Sequence, residues 1–339
     1  MQRILIATDA FDPQINGVVR TLKTTATCLR SLDCEVKFVA PHMFTNISWP
    51  WYRDIKLSFV RTKQIAKLVC DFAPNYIHIA TEGPIGFAMR NYCVRNNIKF
   101  TTSYHTKFPE YLQIMYRIPA NFTYKYFEWF HRASSKVLAP THSIAQELRK
   151  HGFHNVCIWD RGVDIDVFKP QNTCKCEKAR LIYVGRVSAE KNIEAFLNLQ
   201  LDCEKMVVGD GPIRQELQHA YPHVKFVGAK SGQELTDLYA SADVFVFPSK
   251  TDTFGLVLLE SLACGVPFAA YEEPGPLHIY NTDMELGNKC CFVHSDLQIA
   301  TQNALQYGCK KAARELSVQF SWHNCAKKFL EILRNTHEI

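Results

Sequence analysis

The run Phe247-Pro248-Ser249-Lys250-Thr251-Asp252-Thr253-Phe254-Gly255-Leu256-Val257-Leu258-Leu259-Glu260 gathers the groups in this chain best suited to chemistry. A strand-like stretch, Val244 to Phe247, stops at Pro248. A polar turn follows, then Gly255, then an apolar segment with helical spacing that ends Glu260-Ser261-Leu262-Ala263-Cys264-Gly265. That order puts Asp252 in the turn and Glu260 two helical turns later, both near one helix N-terminus. The first N–H groups of a helix lack intrahelical acceptors and carry partial positive charge, so they seat an anion or a ring of hydroxyls. Two carboxylates beside such a seat suit a sugar nucleotide: the acids accept hydrogen bonds from hydroxyls while backbone donors hold the diphosphate. Gly255 permits close backbone approach. A capped turn with an exposed acid is the plainer alternative.

A second set of charges follows the predicted strand Leu181–Val184, in Gly185-Arg186-Val187-Ser188-Ala189-Glu190-Lys191-Asn192. Arg186 and Lys191 lie at a strand end and at the start of the next helix, where a guanidinium fork and an ammonium can converge on a phosphate. A departing nucleoside diphosphate develops negative charge, which fixed cations stabilise. Gly209-Asp210-Gly211-Pro212 and Val227-Gly228 end two further strands; alone they read as tight turns. In the first half, Asp9-Ala10-Phe11-Asp12-Pro13-Gln14-Ile15-Asn16-Gly17-Val18 separates a strand from a helix but lacks the Gly-x-Gly-x2-Gly spacing of a dinucleotide site. Glu82, at another strand end, is a candidate contact for acceptor or sugar hydroxyls, or else a cap for the helix after it. His105 is a candidate ligand group or a hydrogen-bonded histidine at a strand end. Arg161 reads equally as a ligand group or as the salt-bridge partner of Asp160 or Asp164.

Asp252-x7-Glu260, Arg186-x4-Lys191 and the Thr-Asp-Thr-Phe-Gly form of the turn together resemble the retaining glycosyltransferases of family 4, along almost the whole chain. The branch is similar to sulfoquinovosyl- and glucuronosyl-diacylglycerol synthases and to bacterial mannosyltransferases. The family pattern has Glu-x7-Glu, so Asp252 is one methylene shorter than the family acid. The resemblance implies a GT-B fold: two doubly wound Rossmann-like α/β domains facing a central cleft that closes over the donor. It implies that Arg186 and Lys191 clamp the leaving diphosphate, that Asp252 meets the sugar hydroxyls, and that Glu260 holds the nucleotide ribose. The backbone from Phe254 through Gly255 to Leu256, and that of Gly17, would meet the donor phosphate or sugar. Gly209 and Gly211 belong to the nucleotide-facing loop, Gly228 lies where the base stacks, and His105 orients the transferred sugar. No residue presents itself as a covalent nucleophile, and no metal or other cofactor is expected. The expected activity is hexosyl transfer from a sugar nucleotide to a lipid such as diacylglycerol or a glycolipid. A GT-B-fold epimerase and a non-catalytic sugar-nucleotide binder are the alternatives.

The elements that must position these residues alternate along the chain. In the first half strands are predicted at Ile4–Thr8, Val36–Ala40, Tyr76–Ala80, Phe100–Tyr104, Lys136–Ala139 and Val156–Trp159, with helical stretches such as Val19–Leu32, Gln64–Phe72, Phe87–Asn96, Phe122–Ala133 and Ile144–Lys150 between them. A polar, aperiodic segment at 170–179 reads as a linker between a domain at 1–169 and one at 180–320. The second series has strands at Leu181–Val184, Lys205–Val208, Lys225–Val227, Val244–Phe247 and Val266–Ala270. An amphipathic helix within 321–339 is expected, by resemblance, to cross back to the first domain. Such alternation predicts parallel sheets with helices on both faces.

Composition narrows the setting. At 339 residues, 47% hydrophobic and 21% charged, the chain is of ordinary globular make-up, and no apolar run approaches the ~20 residues that span a bilayer. Its opening reads as a first strand and not as a signal peptide, so a cytoplasmic location is expected. The thirteen cysteines are scattered without Cys-x2-Cys spacing, which predicts reduced thiols, with Cys290-Cys291 the one redox-sensitive candidate. Residues 1–170 carry 22 Lys and Arg against 13 Asp and Glu, whereas the remainder is slightly acidic. That asymmetry suits a first domain resting peripherally on an anionic membrane surface; nucleic acid, the rival partner, lacks any supporting motif. Trp49, Trp51, Tyr52 and Arg53 form a loop predicted to contact membrane or acceptor, and the aromatics of Tyr111–Arg132 are predicted to be core.

Overall fold

The computed structural model describes residues 1–14, 16–49, 52–171 and 177–336. By contact the chain forms two compact units, Met1–Arg161 with Trp322–Ile339, and Gly162–Ser321. The crossing therefore lies at Arg161/Gly162, upstream of the segment 170–179 read as the linker, of which residues 172–176 fall outside the described residues. The cause is packing. Val163 and Phe168 sit in the second unit's core, the Val163 N–H donates to Phe320 O, and the Arg314 guanidinium donates to the Ile165 and Phe168 carbonyls.

The first unit contains strands β1 (Gln2–Ala7), β2 (Cys34–Val39), β3 (Asn46–Trp49), β4 (Tyr52–Ser58), β5 (Tyr76–Ile79), β6 (Thr101–Ser103), β7 (Lys136–Ala139) and β8 (Val156–Ile158). Six form a parallel sheet in the order β2-β1-β5-β6-β7-β8. Ile4, Leu5, Ile6 and Ala7 are wholly buried, as a strand covered by helices on both faces requires. The helix Gly17–Ser31 is capped by the Asn16 side chain, which accepts from the Val18 and Val19 N–H groups, and it buries Val19, Leu22, Ala26 and Leu29 at helical spacing. The loop expected at Ile47–Arg53 is instead an antiparallel pair, β3 with β4. Trp51 lies outside the described residues, and no side-chain placement is described for Trp49, Tyr52 or Arg53. The terminal helix Trp322–Arg334 belongs to this unit: its Phe329 ring lies 4.7 Å from Trp159 and 4.9 Å from His78.

The second unit contains β9 (Arg180–Val184), β10 (Glu204–Val208), β11 (Lys225–Gly228), β12 (Val244–Phe247), β13 (Phe268–Ala270) and β14 (Cys291–Val293). All are parallel, in the order β11-β10-β9-β12-β13-β14, the doubly wound Rossmann arrangement. The edge strand β14 was not foreseen from the sequence.

In both sheets the crossovers reverse direction at one point, between β1 and β5 in the first unit and between β9 and β12 in the second. Ligands of doubly wound sheets bind beyond the carboxyl ends at such a point. The two points differ in one respect. In the first unit the helix Pro84–Arg95 after β5 has its N-terminus occupied by the carboxylate of Asp9, from the end of β1. Asp9 accepts from the Ile85 N–H at 2.8 Å, the Gly86 N–H at 3.3 Å and the Thr81 hydroxyl at 2.9 Å. In the second unit the helix Leu256–Ala263 after β12 starts at Gly255, which has no side chain to bond its first turn. One helix end is filled from within by a distant carboxylate, whereas the other begins at a glycine with no side chain of its own to cap it.

Burial outweighs those hydrogen bonds and pushes the Asp9 pKa up to about 6. A folded-state pKa above the unfolded value of an acid favours the protonated form in the native state. Stability should therefore fall as pH rises from about 4 to about 6, by on the order of 2 kcal/mol once residual solvent access is allowed for. Asp9→Asn should remove that slope in urea denaturation followed across the pH range; an unchanged slope would assign it to another group.

Candidate functional site

Two loops meet at the second unit's reversal point: Gly185–Asn192 after β9 and Pro248–Phe254 after β12. Three side-chain bonds tie them. Lys191 Nζ donates to Asp252 Oδ1 at 2.6 Å, Asn192 Nδ2 to the Pro248 carbonyl at 3.1 Å, and the Thr251 hydroxyl to the Glu190 carbonyl at 3.0 Å. Asn192 can make its bond because it adopts the left-handed conformation (φ 53°), which asparagine tolerates better than most residues. Within the first loop the buried Tyr183 donates its hydroxyl to the Arg186 carbonyl at 2.7 Å, fixing the backbone that carries the guanidinium. Motifs 61 residues apart in the chain thus become one cluster, and Lys191 and Asp252, predicted to act on different parts of a ligand, are an ion pair. Both side chains remain about one quarter exposed, within reach of a ligand.

Gly255 adopts φ 84°, a conformation strained for any other residue, and a Cβ there would lie 2.9 Å from the Phe247 ring. Phe254 is buried with its ring beside His278 and Phe320, so only its backbone can meet a ligand. Glu260 is 2% exposed and accepts a hydrogen bond from the equally buried Tyr239 hydroxyl at 3.2 Å. That bond leaves the carboxylate pre-oriented inside the unit.

Gly209 and Gly211 stand where two loops approach too closely for any side chain. A Cβ on Gly209 would fall 1.8 Å from the Gly185 carbonyl oxygen and one on Gly211 would fall 2.1 Å from that of Val187. Their N–H groups are also used internally, Gly209 donating to Gly228 O and Gly211 to the Asp210 carboxylate. Both let this loop pack directly under the loop that carries Arg186. Gly228, at φ 79°, closes the same stack, and an open groove of about 500 Å³ lined by Val227, Lys230, Glu234, Asp237 and Leu238 lies beside it.

In the first unit Gly17 is the exposed first residue of its helix. His105 follows β6 and accepts at Nδ1 from Arg161 Nη2, 3.1 Å away. With Nδ1 an acceptor, the ring's proton resides on Nε2. Burial, the Arg161 charge and His78 hold the His105 pKa well below its usual value, so the ring is a neutral N–H donor at physiological pH. Arg161 does not pair with Asp160 or Asp164, as one reading had it: the Asp160 carboxylate is taken by Lys328 at 2.6 Å and Asp164 accepts from the Asp166 and Val167 N–H groups. Glu82 is not the cap of its helix either, since Asp9 fills that place. The Glu82 carboxylate turns inward, 3.1 Å from His131 Nε2 and almost fully buried. Asp9, His131 and the Arg161–His105 contact were not legible as functional from the sequence; the one available signal was an acid directly after the first strand. Every described cysteine is a free thiol, Cys290 and Cys291 lying 3.8 Å apart at sulfur. No described helix is long and apolar enough to cross a membrane.

Known proteins place this geometry. Residues 15–167 match the model of Glycosyltransferase Family 4, and residues 178–302 that of Glycosyl transferases group 1. A GDP-mannose-dependent alpha-mannosyltransferase of Mycobacterium tuberculosis is 29% identical over 81% of this chain and 80% of its own length. Sulfoquinovosyl transferase SQD2 of Arabidopsis thaliana is 27% identical over 82% of this chain and 60% of its own. An alpha-monoglucosyldiacylglycerol synthase of Streptococcus pneumoniae is 23% identical over 80% and 71%. Among solved structures, a sucrose-phosphate synthase from Thermosynechococcus elongatus superposes with a TM-score of 0.79 over 99% of both chains at 17% identity. HepE of Anabaena, solved with UDP and glucose, superposes with a TM-score of 0.70 over 99% and 100% at 16% identity. Two Rossmann-like units, a Lys191–Asp252 ion pair joining two loops at the reversal point of the second, and matches along most of the chain lead to one assignment: the protein belongs to the family 4 glycosyltransferases, of GT-B fold.

Proposed function

We propose that this glycosyltransferase moves a hexose, with retention at the anomeric carbon, from a UDP- or GDP-sugar to a lipid acceptor such as diacylglycerol or a glycolipid. The observation that carries this reading is the union of the Arg186–Lys191 loop with the Asp252 turn beside the helix N-terminus at Gly255. Donors of positive charge and acceptors for hydroxyls adjoin there, which is what a sugar diphosphate presents. The donor phosphate sits on the Leu256 and Val257 N–H groups and Arg186 stabilises the leaving diphosphate. Lys191 exchanges part of its contact with Asp252 for a phosphate oxygen, freeing Asp252 to accept from the sugar. Glu260 takes the ribose hydroxyls and the groove beside Val227 the base. His105 donates Nε2–H to the transferred sugar. In the chemical step the bond from the anomeric carbon to the diphosphate breaks and the bond to the acceptor oxygen forms on the same face. The acceptor's proton passes to the departing diphosphate oxygen. Charge compensation is assigned to side chains and backbone, without a metal. Relatives named as a GDP-mannose-dependent alpha-mannosyltransferase and an alpha-monoglucosyldiacylglycerol synthase support the donor and acceptor classes.

Incubation with radiolabelled UDP- and GDP-sugars and total membrane lipid should place label in the lipid phase, in EDTA as well as without it. Altered free sugar would indicate an epimerase, and neither outcome with retained nucleotide binding would indicate a binding protein. Arg186→Ala and Lys191→Ala should each lower kcat/KM by about 2–4 kcal/mol of transition-state stabilisation while leaving the fold intact. Wild-type rates in either would remove the clamp from the mechanism.

We further propose that the first unit rests on an anionic bilayer, at a face other than the Trp49–Arg53 segment. Along the helix Ala120–Arg132, Phe122 and Tyr126 are 73% and 42% exposed, so these two aromatics are not core as expected. Tyr126 and the neighbouring Phe87 each lie 6.0 Å from the Trp129 ring, over which Arg90 stacks at 3.9 Å, and Lys125 is exposed beside them. The buried Arg90 supports these rings from beneath, and exposed aromatics beside the exposed Lys125 suit an interface of anionic lipid. Phe87→Ser with Phe122→Ser should weaken binding to phosphatidylglycerol vesicles and leave nucleotide affinity unchanged, and wild-type binding should fall as salt rises. Binding indifferent to lipid charge and salt would shift the acceptor away from membrane lipid.

A further inference from the structure

We infer that Arg161 is a positioning residue for the transfer reaction: its guanidinium holds His105 in the single tautomer that presents Nε2–H to the sugar. This rests on the role proposed above for His105. Arg161 is 4% exposed, and no carboxylate is among its described bonding partners. Its Nη1 donates to the Trp159 carbonyl at 2.6 Å and the Asp160 carbonyl at 3.2 Å, its plane lies 4.4 Å over the Trp159 ring, and Nη2 is directed at His105 Nδ1. A buried cation is costly unless several groups compensate it. Here two carbonyl oxygens and an aromatic face do so, and the remaining bond goes to the histidine. A guanidinium has donors only, so the contact accepts one protonation state of the ring: Nδ1 bare and Nε2 protonated. Protonation of Nδ1 would set two donors against each other.

The same segment is anchored by the end of the chain. Trp159 Nε1 donates to the Cys325 carbonyl at 3.2 Å, Cys325 Sγ donates to the Asp160 carbonyl at 3.0 Å, and Phe329 packs on the Trp159 ring. The helix Trp322–Arg334, remote in sequence from every binding motif, thus fixes residues 159 and 160 and through them Arg161. His78 completes the surroundings, its ring held between the Thr101 and Ser103 hydroxyls at 2.8 and 2.9 Å and edge-on to Phe329.

Long-range ¹H–¹⁵N correlation on ¹⁵N-histidine-labelled full-length protein, with His105→Gln identifying the resonance, reads the tautomer directly. Wild type should show His105 as the neutral Nε2–H form alone. A wild-type Nδ1–H or doubly protonated ring overturns the inference, even if no Arg161 variant folds. Arg161→Met, similar in length but unable to donate, should give a mixture of tautomers. It should lower kcat roughly 10- to 100-fold with little change in the donor KM, the scale for losing a residue that orients a functional histidine. Arg161→Met combined with His105→Ala should be no slower than His105→Ala alone, because both act through one group. An unchanged tautomer in Arg161→Met, or additive losses in the pair, overturns the positioning role. A fully active His105→Ala whose wild-type parent shows the single tautomer would instead remove His105 from the proposed transfer, and Arg161's part in it with it, leaving the contact a structural one.

Discussion

Who supplies the negative charge at a helix N-terminus is the constraint on which the rest of this protein depends. Each parallel sheet brings the N-terminus of a helix to its carboxyl edge at the point where the winding reverses. The first-turn N–H groups there must find acceptors. The first unit satisfies its helix with its own Asp9, at the cost of desolvating a carboxylate whose pKa rises to about 6. Both helices begin after a glycine, Gly83 in the first unit and Gly255 in the second.

Around the open helix end, glycine is selected for proximity. Gly209 and Gly211 let one loop lie against the next with no room for a methyl group, and the loop above them carries Arg186. Gly255 turns the chain into the helix at φ 84° over the Phe247 ring. The Glu260 carboxylate is held by Tyr239, and the loops that carry the other charged groups are held by their backbone: Tyr183 bonds the Arg186 carbonyl, and Thr251 and Asn192 stitch the two loops. Such preorganisation keeps the groups in place before a ligand arrives, which limits the reorganisation charged on binding and reaction.

The first unit is stiffened differently, by buried polar contacts. His78 between two hydroxyls, His131 between Thr102 and Glu82, and Arg161 between two carbonyls and His105 form pairs in a dry setting, where each bond is strong. The terminal helix closes this network from below. Its place in the first unit explains why a chain that has already completed its second sheet returns to the domain where it began.

The alternation of strands and helices, the two sheets and the residues of the second unit's cluster could be read from sequence because each rests on local order: β-rich apolar runs, a strand followed by Gly-Arg or Pro-Ser, an acid spaced from an acid. What could not be read depends on partners far away in the chain. Nothing near Asp9 announces that it caps a helix starting at residue 84, and nothing near Arg161 announces His105 or the helix at 322. The exposure of Phe122 and Tyr126 on a helix whose other aromatics are core followed from where that helix packs, not from its composition. The crossing at Arg161/Gly162 was hidden because Val163 and Phe168 look like any other apolar residues until the core that takes them is known. Sequence determined which chemistry this protein carries, since backbone pattern and charge spacing are local. Tertiary structure alone decided which polar groups are spent on each other and which remain for a ligand, because that depends on distances between residues that the chain order does not encode.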